Sequence, residues 1–121
     1  MEGDKKMELL VFVLNDHEKL DAVLTELEHA GIAGATVIDS TGMAKVLHHD
    51  EEDVLFFGAI RGILNSATRA KSNTILMVIE KDQVQPAVDA IERIVGDLNH
   101  KNVGVVFTIP VEFTKGIRKH E

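Results

Sequence analysis

His48 and His49 stand side by side, followed by Asp50, Glu51, Glu52 and Asp53. Imidazole and carboxylate together suit Zn²⁺ and similar divalent ions. Neighbouring ligands in a polar stretch close a metal site only with a distant third ligand, so a solvated acidic loop is the plainer reading of this run. His17, His29, His100 and His120 show no ligand spacing. Cysteine is absent, which removes thiolate metal sites, disulfides and Cys nucleophiles. Ser40, Ser66 and Ser72 lie outside any G-x-S-x-G pattern, and there is no Walker A loop, Rossmann fingerprint or zinc-protease helix. The carboxylates fall in surface-like runs. The chain is expected to bind and not to catalyse, with no catalytic residue and no metal ligand assigned.

The 121 residues are 45% apolar and 27% charged, one domain's worth of an ordinary globular composition. The net charge of −7 argues against binding a phosphate backbone. All aromatics are Phe, so platforms for stacking bases are not expected either. The start is polar and no apolar run approaches the roughly 20 residues of a membrane span. A reducing cytoplasm is the expected location.

The elements that must position any site follow from periodicity. Met7 to Leu14 is a near-continuous apolar run whose Val and Phe content predicts a strand. Asn15 and Glu18 have the spacing of a capping box, and Leu20, Val23, Leu24, Leu27 and Ala30 mark one face of the helix behind it. Gly31 suits a left-handed close. Ala35 to Thr41 reads as a second strand ended by Gly42. A long connection follows, polar through residues 48–53, with Leu55 to Leu64 as a short helix weakened by two glycines. Asn73 to Glu80 is a third strand. Asp82 and Gln85 form a second capping pattern, and Val84, Ala87, Val88, Ile91, Ile94, Val95 and Leu98 mark a second helical stripe that Gly96 can cut short. Val103 to Ile109 is a fourth strand, stopped by Pro110.

The order β-α-β, long loop, β-α-β predicts an α+β, ferredoxin-like βαββαβ domain over 1–121, with an antiparallel four-stranded sheet and both helices on one face. The free face of such a sheet normally meets water, and its strands then alternate apolar and polar. Here they do not. Met7, Leu9, Val11 and Val13 oppose Leu10, Phe12 and Leu14; Ile75, Met77 and Ile79 oppose Leu76 and Val78; Val103, Val105, Phe107 and Ile109 oppose Val106. Both faces are apolar, so self-association in a closed oligomer is expected.

Several segments resemble the PII nitrogen-regulatory family. Glu18-Lys19-Leu20-Asp21, then Gly31-Ile32-Ala33-Gly34-Ala35-Thr36-Val37, are similar to that family's helix start and its Gly-x-x-Gly-x-Thr-Val approach to the second strand. Ser40-Thr41-Gly42-Met43-Ala44-Lys45 stands where the family turns into its long T-loop. Asp82-Gln83-Val84 with Ala87 to Ile91 is similar to its second helix. The resemblance covers residues 7–110 and rests on order and spacing together.

The resemblance implies a homotrimer with small anionic effectors held in clefts between subunits, at the base of a T-loop-like insertion over 42–72 that regulates a partner protein. The family's usual ligands are adenine nucleotides, with 2-oxoglutarate held through Mg²⁺. The adenine nucleotide is carried over here as a candidate ahead of Mg²⁺. By the same resemblance Thr36 is the threonine near adenine, Gly42 the turn glycine and Lys45 the phosphate-contacting position. Lys115 and Arg118, in the tail 111–121, lie near the C-terminal basic pair. The family's glycine-rich phosphate loop is replaced by Gly96-Asp97-Leu98-Asn99-His100-Lys101-Asn102-Val103-Gly104, where Lys101 is the remaining cation and most glycines are missing. The family's T-loop glutamine falls at Val46, and its modified tyrosine has no counterpart. The alternative is a divalent-metal-binding trimer similar to the CutA family, using His48 and His49.

Overall fold

The computed structural model describes residues 5–42 and 72–117. In chain order these form β1 (Met7–Leu14), α1 (Leu20–His29), β2 (Thr36–Ser40), β3 (Ser72–Glu80), α2 (Val84–Val95) and β4 (Gly104–Val111). The strands lie in the order β2-β3-β1-β4, and every neighbouring pair is antiparallel. This is the expected ferredoxin-like βαββαβ architecture. No helix among the described residues is long and apolar enough to cross a membrane.

Both helices cover the same face. Leu10, Phe12 and Leu14 of β1 and Ile75, Met77 and Ile79 of β3 share one core with Val23 and Leu27 of α1 and Ala87, Ala90 and Ile91 of α2. Phe12 and Leu10 are its largest fully buried side chains. Burying each removes enough apolar surface to stabilise the fold by roughly 2–3 kcal/mol. Glu8 and Asn73 are the buried polar residues on this face among those described; Glu8 lies opposite Ile79 and Pro110, with Lys81 Nζ 4.0 Å from its carboxylate.

Among the described residues, no helix covers the opposite face. Register places Met7, Leu9, Val11 and Val13 beside Leu76 and Val78 on one side and Val105, Phe107, Ile109 and Val111 on the other. Ile38 of β2 extends this surface. Val105 is 57% exposed, Phe107 47% and Ile109 47%. The residues that the pattern assigns to a second apolar face therefore form one; its β4 side is about half exposed, while Val11 at its centre is 8% exposed.

Local signals shift by a few residues. The cap of the first helical segment is Asp16, not Asn15: its carboxylate accepts from Glu18 N at 3.1 Å, and one tight turn, His17–Lys19, precedes α1. Before α2 the capping box is Glu80 with Gln83, not Asp82 with Gln85. Glu80 N donates to Gln83 Oε1 at 2.8 Å, while the Gln85 amide turns along the helix to Asp89 at 2.9 Å. Gly31 and Gly96 end the two helices at φ 93° and 89°, in the left-handed region that glycine tolerates. Pro110 does not stop β4, which starts at Gly104 and runs to Val111. β4 is an edge strand, where one side of the ladder needs no donor, so a proline fits.

Candidate functional site

The antiparallel order sets two ends to the sheet. One end gathers the start of β1 and the ends of β3 and β4, since Met7 pairs with both Glu80 and Val111. A cavity of about 1260 Å³ opens there, lined on the sheet side by Leu9, Thr36 and Val78 and on the tail side by Phe113 and Ile117. Thr36 sits in this wall because β2 begins opposite Leu76, midway along β3. Lys115 is exposed and lies between Thr114 and Gly116, both of which line the cavity. Lys5 reaches the same space and pairs with Glu80 at 3.1 Å. Phe113 is 78% exposed, so the mouth is apolar on its tail side.

The other end gathers the end of β2, the start of β3, the end of β1 and the start of β4. Gly42 lies two residues past β2, exposed, without a positive φ, and a Cβ added there would meet nothing within 4 Å. Neither its backbone conformation nor crowding by the described residues therefore requires glycine at 42. Lys101 is exposed in the turn before β4. The two residues share an end but not an edge: β3 and β1 lie between their strands, a separation of about 14 Å. Thr36 opens β2 and Gly42 lies two residues past its far end, up to about 20 Å away. Thr36 and the two residues flanking Lys115 thus meet at one cavity, while Gly42 and Lys101 lie at the other end of the sheet. Lys45, Arg118 and the His48-His49 run lie outside the described residues, as does 43–71 of the insertion. Among the described residues, no three of His, Asp or Glu are grouped so as to hold a metal ion.

Two features escape sequence reasoning. The first is a polar clasp where β2 and β3 meet. Asn73 Nδ2 donates to Asp39 Oδ1 at 3.0 Å on the helix-covered side, and the Ser40 and Thr74 hydroxyls are 3.0 Å apart on the open side. Asn73 Oδ1 is buried, with no hydrogen-bond partner among the described residues. Only strand register reveals these pairs, and the sequence does not state register.

The second is the turn from α2 to β4, where the resemblance expects phosphate to be held. Gly96 N donates to Glu92 O at 2.9 Å and His100 N to Asp97 O at 3.0 Å. Leu98 N donates to Glu92 Oε2 at 3.0 Å and Asn99 N to Asp97 Oδ1 at 2.9 Å. Four backbone donors are taken by the chain itself, two of them by carboxylates, so this donor set does not fit a nucleotide phosphate. The signal present in the sequence is the loss of most glycines between Gly96 and Gly104.

Comparison with known proteins follows this geometry. The family model described as nitrogen regulatory protein P-II matches residues 7–121. No curated protein matches the chain. Among solved structures, the crystal structure of Arabidopsis thaliana PII bound to citrate is similar, with a TM-score of 0.61 and 19% identity, over 89% of this chain and 79% of that one.

Proposed function

The chain belongs to the nitrogen regulatory protein P-II family, and from that premise we propose that it is a non-enzymatic regulator that works as a homotrimer. A small anionic effector sits in the clefts between protomers, and the insertion over 42–72 passes the signal to a partner protein. The observation that carries this reading is the open sheet face. Val105, Phe107 and Ile109 are each about half exposed on a surface continuous with Leu9, Val11, Leu76 and Val78. Apolar patches larger than a few hundred Å² are rarely left wet by a monomer.

Packing copies face to face removes that surface from water. It also explains why one protomer separates the candidate site residues: a seam between copies is where Thr36 and Lys115 of one chain come near another. Lys45, Lys101 and Arg118 add positive charge to an otherwise acidic molecule, which favours an anion. The Arabidopsis protein's citrate is a small polyanion of the size such a seam accommodates.

Light scattering on the full chain tests the assembly, with three chain masses expected at micromolar concentration. Phe107→Glu with Ile109→Glu should give a monomer with its helical circular dichroism intact. Calorimetric titration with citrate tests the effector, and Lys115→Ala or Lys45→Ala should weaken binding roughly tenfold by removing one charged contact. A wild-type monomer with a wet sheet face would overturn the reading.

A further inference from the structure

Between Val95 and Gly104 the chain must leave a helix and enter a strand, and backbone donors exposed by such a turn are what anions seek. Here four of them, on Gly96, Leu98, Asn99 and His100, are already occupied. The Glu92 carboxylate, from the last turn of α2, reaches forward to Leu98 N at 3.0 Å. The Asp97 carboxylate closes an Asx turn on Asn99 N at 2.9 Å, and its second oxygen lies 3.8 Å from His100 Nε2. Gly96 at φ 89° and Asn102 at φ 65° fold the turn so that these contacts form.

We propose that Glu92 and Asp97 are specificity determinants: their carboxylates occupy the amide donors of Leu98 and Asn99 from within the chain and so exclude phosphate groups from this turn. An incoming phosphate would have to displace two charge-assisted hydrogen bonds and then sit beside two freed carboxylates of its own sign. Each displaced bond lowers phosphate affinity about tenfold or more. Lys101 contributes a single exposed charge and does not reverse this. For the proposed function, on which this last step rests, the effector is an anion whose charge is not a phosphate held by the α2–β4 turn.

The test uses the full chain, with Mg-ATP and inorganic pyrophosphate as probes, read by calorimetry and by the amide chemical shifts of Leu98 and Asn99. The wild type is expected to show no saturable pyrophosphate binding at about 1 mM and no shift of those two amides with either probe. Glu92→Ala with Asp97→Ala should free the donors and tighten pyrophosphate binding at least tenfold, with both amides shifting. Should that pair fail to fold, Glu92→Gln with Asp97→Asn keeps the acceptors, removes the charge, and should still give a measurable gain.

Wild-type binding of Mg-ATP that shifts the 98 and 99 amides overturns the proposal. Absence of any gain in folded variants overturns the role given to these two carboxylates. ATP binding that leaves both amides unmoved supports it, because the phosphates are then held elsewhere. Oligomer mass reads the proposed function separately. A trimer whose amides take up phosphate sinks the exclusion alone, and a monomer whose amides refuse it sinks only the regulatory reading.

Discussion

A methyl group on Gly104 would stand 2.5 Å from the carbonyl oxygen of Val13 and 3.0 Å from the ring of Phe12, with φ at 155°. Backbone and a buried ring cannot both give way, so Gly104→Ala should cost about 2–4 kcal/mol of stability, read as a lower urea midpoint. Gly42→Ala is the contrast. Nothing lies within 4 Å of the added carbon and φ is not positive, so the midpoint should move by less than about 0.5 kcal/mol. Sequence resemblance drew attention to Gly42, yet the structure makes Gly104 the constrained glycine. The reason is that Gly104 owes its constraint to β1, some ninety positions earlier in the chain, through a register that no local pattern encodes.

At the scale of the element, both helices were legible from their stripes and both caps were misplaced by one or two residues. Spacing alone cannot choose between Asn15 and Asp16, or between Glu80/Gln83 and Asp82/Gln85. The choice is made by where the sheet releases the chain. Glu80 is still paired with Met7, and Lys81 N still donates to Lys6 O at 2.8 Å, so the capping residue has to be Glu80. Gln83→Ala should then cost about 1 kcal/mol by opening the box, whereas Asp82→Ala should cost a few tenths. Thermal unfolding of the two variants separates them. If Asp82→Ala is the more damaging, the box has been assigned to the wrong residues.

For the whole molecule, the failure of three strands to alternate apolar with polar was enough to foresee an apolar face on each side of the sheet, because side-chain period is fixed by the pleat. The fold followed from element order. The candidate site did not follow, since its described residues lie at different ends and edges of one sheet, and bringing them together is left to the proposed assembly. If those copies cover the open face, the unfolding midpoint must rise with protein concentration, as mass action requires. A tenfold dilution series followed by fluorescence of an apolar dye should show a falling midpoint and growing dye binding. A midpoint independent of concentration across that series would count against assembly.

The clasp of Asp39 with Asn73 and Ser40 with Thr74 has a modular consequence. The chain departs at Gly42 and returns at Ser72 beside its own point of departure, on a β2–β3 stem paired from Thr36–Leu76 to Ser40–Ser72. Replacing residues 43–71 by a four-residue turn shortens a closed loop, and loop-closure entropy alone favours the shortened chain by about 2 kcal/mol. The sheet and its helices are thus a chassis on which segments of other lengths and sequences can be grafted.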